Sequence, residues 1–420
     1  MLLGLVLCLI ATNATAQQFC LNKIAIPAQD TLCIVQDSAR LFFPSGHERF
    51  TAFYHKLSEQ LLHQSNRINI LHIGGSHVQA GIIGEQLRQD LSAMGDSVGK
   101  YHCDKADRGL VFPFKAVRTN APSNYDFEHT GYWRASRCIS ASPDATLGIS
   151  GIAAMTTDST SSLTLRLYDK GYEFDQLRLL GYCDIPATRP IIVMDNDTIL
   201  PQPDDNKTGF LFNLPAPTNQ CTLKFVNLDQ NSPFVVRGLL PMSKRNGITY
   251  TESGVNGAST SSWLKCKAFD EELSLLPPDM VVFGIGINDA ATSFAGFNPE
   301  VFKDNYKQII DNILKINPNA ALLFITNNDC NQTVRMRKPN TNTSRVAQAF
   351  KELAAEYNGA VFNLYQMMGG QGSAATWERH NLMRRDRVHF TGKGYQLVGD
   401  LIYNAIVNDF ETYANEQKAN

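Results

Sequence analysis

Three short segments, spread over most of a 420-residue chain, hold the residue types that ester cleavage needs. Gly74-Gly75-Ser76-His77 closes an apolar run and sets a hydroxyl where a strand turns into a helix. Asp386 and His389 stand three apart, so one loop carries both an imidazole and a carboxylate able to fix its tautomer. Gly284-Ile285-Gly286-Ile287-Asn288-Asp289 closes a second apolar run and offers the side-chain amide of Asn288. Nucleophile, base, orienter and oxyanion donor are the parts of acyl transfer through an acyl-enzyme. Only a fold brings together groups so far apart in sequence.

Such groups need strand ends on one sheet edge. Ile68-Asn-Ile-Leu-His-Ile73 reads as a buried strand, and Val78, Ile82, Ile83, Leu87 and Leu91 then recur at helical spacing, with Gly95 as a stop. Met280–Phe283 and Ala321–Ile325 are short continuous apolar runs of the kind buried on both faces of a parallel sheet. Asn298 caps and Pro299 opens a helix with Phe302, Tyr306, Ile309, Ile310 and Ile313 on one face. Val346, Phe350, Leu353 and Tyr357 mark another, and Leu397, Leu401, Ile402, Ala405 and Ile406 a last one after Gly394.

Between Cys103 and Lys244 the texture changes. Leu163–Leu167, Ile191–Val193, Phe210–Phe212 and Leu223–Val226 are short runs set between turn-forming clusters such as Asp195-Asn196-Asp197 and Pro203-Asp204-Asp205-Asn206. That pattern predicts an antiparallel β-sandwich. The expected organisation is a leader over 1–16, an N-terminal extension over 17–47, an α/β domain over 48–102 and 246–420, and an inserted sandwich over 103–245. No internal repeat or low-complexity tract interrupts it.

Bulk properties set the compartment and remove some partners. Apolar content of 43% and charged content of 19% describe a globular protein, and a formal charge of −2 gives nucleic acid no electrostatic handle. Met1–Ile10 is apolar and is followed by Ala14-Thr15-Ala16-Gln17, which fits a signal peptide cut after Ala16; the competing reading is a buried N-terminal helix. Export to the periplasm, the cell surface or the medium is therefore expected. No later stretch reaches the ~18 apolar residues of a membrane span. Eight cysteines would remain after cleavage, an even number that permits disulfides. Cys20 and Cys33 form the most local pair and would tie down the N-terminal tail, whereas Cys266 and Cys330 also read as buried thiols. No Cys-x-x-Cys pair points to zinc, and the chemistry requires neither a metal nor an organic cofactor.

Taken together, the α/β segments resemble the SGNH (GDSL-type) hydrolase superfamily over roughly residues 66–95 and 250–414. The resemblance implies a three-layer α/β/α fold with a parallel sheet, and catalytic roles for Ser76, Asp386 and His389. It assigns the oxyanion hole to the Ser76 amide, the Gly257 amide in Gly254-Val-Asn-Gly-Ala258, and the Asn288 side chain. Gly75 stands where the family's commoner aspartate precedes the serine. That aspartate is neither nucleophile nor base, so activity is expected to survive. The histidine after the serine resembles the form found in bacterial peptidoglycan O-acetylesterases, which often carry a carbohydrate-binding β-sandwich.

The implied function is an exported serine esterase that removes O-acetyl groups from peptidoglycan or another polysaccharide, with an acetylated glycan as its partner. The alternatives are a polysaccharide O-acetyltransferase, which needs the same acyl-enzyme, and a glycan-binding protein with an idle hydrolase domain. Oligomeric state is left open. His77 reads equally as helix-start packing and as a substrate contact, and His72, inside the first strand, as packing. Arg335, Arg337 and Lys338, and Arg379, Arg384, Arg385 and Arg387 around the acid–base loop, read as solvated surface. The functional reading of Arg384 and Arg385 is contact with an anionic glycan. Tyr125, Tyr132 and Trp133 are aromatic enough to stack on sugars but also suit a core.

Overall fold

The computed structural model of the chain describes residues 19–101, 103, 107–168, 172–194, 197–202, 208–333 and 335–416. The expected leader therefore lies outside the described residues, as do the turn cluster Pro203-Asp204-Asp205-Asn206 and the first two residues of Asp195-Asn196-Asp197.

A seven-stranded sheet forms the core of the α/β part. Its strands, in chain order, are β1 (Leu41–Phe42), β2 (Arg67–Gly74), β3 (Asp107–Arg108), β4 (Gly247–Gly254), β5 (Met280–Gly284), β6 (Ala321–Ile325) and β7 (Ala360–Phe362). They lie in the order β1-β7-β6-β5-β2-β4-β3, all parallel except β1, which pairs antiparallel with β7. Alternation along the strands feeds two cores. Met280 and Val282 face a cluster built with helices α1 (Glu48–His63) and α3 (Ile82–Ser92) and the last helix, α7 (Gly392–Glu416). Val281 and Phe283 face the other side, against α5 (Pro299–Ile316) and α6 (Thr343–Tyr357). The result is three layers, α/β/α.

Local chemistry explains the helix ends. The Asn298 carboxamide accepts from the amides of Glu300 and Val301, Pro299 occupies the first turn, and the five predicted apolar positions of α5 are all buried. One expectation fails in detail. Helical spacing from Val78 to Leu91 predicts a single helix, but the segment breaks into α2 (Ser76–Gln79) and α3 at Gly81, whose φ of +71° is left-handed. A Cβ at Gly81 would also lie 2.4 Å from Pro122.

Ten antiparallel strands between Tyr125 and Met242 make two five-stranded sheets, the predicted sandwich. One sheet runs Asp197–Ile199, Arg189–Met194, Gln220–Val226, Ser162–Leu167, Tyr125–Thr130; the other runs Phe210–Thr218, Phe174–Tyr182, Phe234–Met242, Ile152–Thr156, Arg134–Arg137. Its interior is not separate. Leu163, Leu165 and Leu223 belong to the same hydrophobic cluster as Val281, Phe283 and Phe350 of the α/β part. A buried ion pair, Arg237 to Glu272 at 2.5 Å, crosses the same seam, and Glu272 also accepts from the Ile149 amide.

The expected cysteine pairing is not formed. All eight described cysteines are free thiols, Cys20 exposed and Cys33 buried beneath Trp377, whose indole N–H donates to the Cys33 carbonyl. The tail is held instead along α7: Asn404 exchanges hydrogen bonds with Ile24, and the Asn415 carboxamide accepts from Phe19. Among the described residues no helix is long and apolar enough to cross a membrane.

Candidate active site

Three parallel strands end side by side. Gly74 of β2 pairs in register with Gly254 of β4 and with Gly284 of β5, and each is followed within four residues by a side chain or amide of interest. A site at the carboxyl edge of a parallel sheet is the expected outcome of this topology. Gly254 is required by close approach, because a Cβ there would stand 2.2 Å from the backbone nitrogen of Gln79 in α2.

Ser76 opens α2, and its Oγ lies 2.9 Å from Nε2 of His389. The opposite ring nitrogen, Nδ1, lies 2.9 Å from Oδ2 of Asp386. Oδ1 of Asp386 accepts from the backbone amides of Val388 and His389, at 2.8 and 3.0 Å. Burial acts to raise the Asp386 carboxyl, but hydrogen bonds from the His389 ring and these amides outweigh it and hold it below the ordinary range. It therefore stays ionised, the state that favours the His389 tautomer with Nε2 free to accept from serine.

The acid–base loop is braced from behind by residues that carried no sequence signal. Asn331 donates its backbone N–H to the Arg387 carbonyl at 2.8 Å and its side-chain amide to the Asp386 carbonyl at 2.9 Å. Asn328 donates to the Val388 carbonyl, and both asparagines are buried. Arg387 adopts a φ of +50°, and its guanidinium is paired with Glu378.

On the other side, Gly257 has a φ of +82°, which disfavours any other residue. Crowding is not the reason: a Cβ would meet only Ile139, 4.0 Å away. The Asn288 amide donates to the Ala258 carbonyl at 2.9 Å, which orients the group and leaves its second hydrogen available. Asp289 accepts from the backbone and hydroxyl of Thr260, tying the Asn288 loop to α4 (Thr260–Trp263). At Gly75, a Cβ would come within 3.3 Å of the Asn288 nitrogen, so glycine leaves that amide undisturbed.

Ser76, His389, Gly257 and Asn288 share one open cleft of about 280 Å³. Arg384 and Tyr395 line it on the side of His389, Asn256 and Asn120 on the side of Gly257, and Ala80 is also part of the lining. Of the candidate contacts, only Arg384 reaches this lining. Arg385 is exposed outside it. His77 turns away, its ring packed among His389, Phe390 and Tyr395, with Nδ1 3.0 Å from the Tyr395 hydroxyl. Burial, aided by His389, drives its pKa down to about 3, so it is neutral packing behind the base. His72 is likewise neutral and buried, hydrogen-bonded to Tyr250. Tyr125 and Trp133 are core residues and Tyr132 is exposed. Arg335, Lys338 and Arg379 are exposed away from the cleft lining. Among the described residues no cluster of His, Cys, Asp or Glu has the composition of a metal site.

With that geometry in hand, relatives are informative. The GDSL-like lipase/acylhydrolase family model matches residues 233–397, a span that contains Gly257, Asn288, Asp386 and His389 but not Ser76. A solved peptidoglycan O-acetylesterase superposes with a TM-score of 0.70 at 18% identity, covering 90% of this chain and 99% of that one. A lipase/acylhydrolase from Enterococcus faecalis and the acetyl xylan esterase AlAXEase match at 23% and 21% identity over 39% of this chain and 78% and 83% of theirs, each with a TM-score of 0.31. No curated protein matches by sequence. The family match over residues 233–397 and a fold shared over 90% of the chain make it similar to the SGNH-type, GDSL-like acylhydrolases, and they support reading it as a carboxylic ester hydrolase.

Proposed function

We propose that this chain is an exported serine esterase that removes O-acetyl groups from peptidoglycan or a related polysaccharide. The observation that carries the reading is the line of contacts from Ser76 Oγ through His389 to Asp386, at 2.9 Å each, opening into a small cleft lined by asparagine, arginine and tyrosine. Ser76 attacks the ester carbonyl carbon while its proton passes to Nε2 of His389. The tetrahedral oxyanion is held by the amides of Ser76 and Gly257 and the Asn288 side chain, and each such donor contributes about 3–4 kcal/mol in comparable enzymes. Collapse expels the sugar oxygen, which takes the proton from His389 and leaves an acetyl-Ser76 ester. Water, deprotonated by His389, then releases acetate and restores the serine.

The acetyl preference is supported by the walls. Asparagine, arginine and tyrosine side chains hydrogen-bond, and Ala80 alone cannot bury a long acyl chain. The polysaccharide is supported by the polar opening and by the name of the structural relative. Export is supported by the apolar N-terminal run ending at Ala14-Thr15-Ala16. In this reading the segment 103–245 is an insertion that walls one side of the cleft.

Hydrolysis of p-nitrophenyl acetate by the wild type, abolished in Ser76→Ala, tests the chemistry. Acetate release from acetylated peptidoglycan tests the substrate, and acetate transfer to added glycan in place of release would assign a transferase instead.

A further inference from the structure

The amide of Gln79 stands at a three-way junction. It lies in α2, three residues after Ser76, and only 4% of it is exposed. Its Oε1 accepts from the backbone N–H of Asn256 at 2.6 Å, next to Gly257 in the oxyanion loop. Its Nε2 donates to the Asn120 carbonyl at 2.9 Å and to the Thr119 hydroxyl at 3.2 Å. Thr119 and Asn120 end a tight turn within the insertion: Thr119 N–H donates to Phe114, and Val111 pairs with Leu239 of the sandwich. One buried carboxamide thus holds together the nucleophile's helix, the oxyanion loop and the insertion. A primary amide has one acceptor and two donors, so these contacts fix its orientation.

Beyond this junction the Asn120 side chain lines the cleft beside Ser76 and Asn256. It is exposed and has no hydrogen-bond partner among the described residues. Its carboxamide both donates and accepts, which suits a sugar hydroxyl or N-acetyl group rather than a flat aromatic alcohol.

We infer that the insertion completes the active site: Asn120 is a specificity-determining contact to the sugar side of the ester, and Gln79 is a positioning residue that locks this contact to the oxyanion loop. The inference rests on the esterase reading above and adds a recognition element on the insertion. Mechanically, the acceptor arm of Gln79 serves kcat through Asn256–Gly257, and its donor arm serves KM through Asn120.

The experiment compares two acetyl esters, p-nitrophenyl acetate and an O-acetylated N-acetylglucosamine oligosaccharide, on the full chain. Asn120→Ala is expected to raise KM for the saccharide about tenfold more than for p-nitrophenyl acetate, the scale of one lost hydrogen bond. Gln79→Ala removes both arms, so kcat falls on both esters and KM for the saccharide rises. Gln79→Glu, assayed at alkaline pH where the carboxylate is ionised, keeps the acceptor for Asn256 and loses the donor to Asn120. It should restore kcat but not the saccharide KM, a split that general loosening of the fold would not give. Equal losses on both esters for Asn120→Ala, or a wild type with no preference for the saccharide, would overturn the inference while leaving the esterase intact. A wild type inert toward p-nitrophenyl acetate would overturn the esterase reading itself.

Discussion

The hydrolase layers and the insertion solve the same burial problem in opposite ways. The α/β sheet is mostly parallel and covered on both faces, so its central strands Met280–Gly284 and Ala321–Ile325 are apolar runs; Ser76, Gly257 and Asn288 follow strand ends, while Asp386 and His389 stand on the loop before the last helix. The sandwich is antiparallel, with strands such as Ser162–Leu167 alternating buried and half-exposed residues, and it carries no motif. Yet the sandwich shares one continuous core with the α5–α6 face of the sheet, whereas the α1–α3–α7 face keeps a core of its own. The candidate catalytic groups are thus concentrated in one region, and the lining of the cleft draws on both.

The largest expected effect tests the first half of that statement. Ser76→Ala should lower kcat on any acetyl ester by about 10⁴-fold or more, as removal of a serine nucleophile does elsewhere, with thermal unfolding unchanged. A loss of only a few-fold would move the chemistry away from the sheet edge.

Next in size is the seam. Glu272 is fully buried, paired with Arg237 of the sandwich and bonded to the Ile149 amide. Glu272→Ala leaves a buried guanidinium uncompensated and should cost about 3–5 kcal/mol in denaturant unfolding. Replacing both partners, as Arg237→Met with Glu272→Leu, should recover most of that. If the single variant instead unfolded in two separate transitions, the shared core would not be acting as one cooperative unit.

These expectations differ in how far the sequence foretold them. That Ser76, Asp386 and His389 could meet was legible because a strand-to-helix turn and a three-residue spacing are local patterns, and the buried face of α5 was legible because periodicity is local too. Gln79 was not legible. Its role depends on Gly81 breaking the helix and on a turn some 40 residues away in sequence reaching back to it. Asn328 and Asn331 were silent for the same reason, bonding carbonyls more than 50 residues away. His77 could not be resolved from its neighbours, because Tyr395, far along the chain, is what turns it into packing. The cysteine reading went wrong because parity constrains only the possibility of pairing, not proximity.

A pH prediction probes the face that keeps a core of its own. Asp90 of α3 faces Asp400 of α7, and burial together with the Asp400 charge pushes the Asp90 pKa up to about 7. A carboxyl raised above its unfolded value binds a proton that the unfolded chain has already released. Its stabilising contribution is therefore complete below the ordinary aspartate range and is lost as pH rises through about 7. Asp400→Asn, whose amide can donate to Asp90, should add on the order of 2 kcal/mol at mildly alkaline pH and almost nothing under acid conditions. Urea titrations at the two pH values check this, and an equal gain at both would mean that the carboxyls are not sharing a proton.

The smallest effect separates the two walls of the cleft. Arg384 lines the acid–base side and has no carboxylate partner among the described residues, while its neighbour Arg385 is exposed outside the cleft. Asn120, on the opposite wall, is neutral. If Arg384 meets a negative group of the glycan, Arg384→Glu should lower kcat/KM on acetylated peptidoglycan about tenfold more than on p-nitrophenyl acetate, equivalent to roughly 1.4 kcal/mol. Arg385→Glu should produce a weaker version that salt abolishes, since an exposed charge acts only within a Debye length of about 10 Å. The Asn120→Ala defect should not respond to salt at all, because it removes a hydrogen bond rather than a field. Identical, salt-sensitive losses for both arginine variants would reduce Arg384 to a surface charge, leaving recognition of the sugar to the wall that the insertion builds.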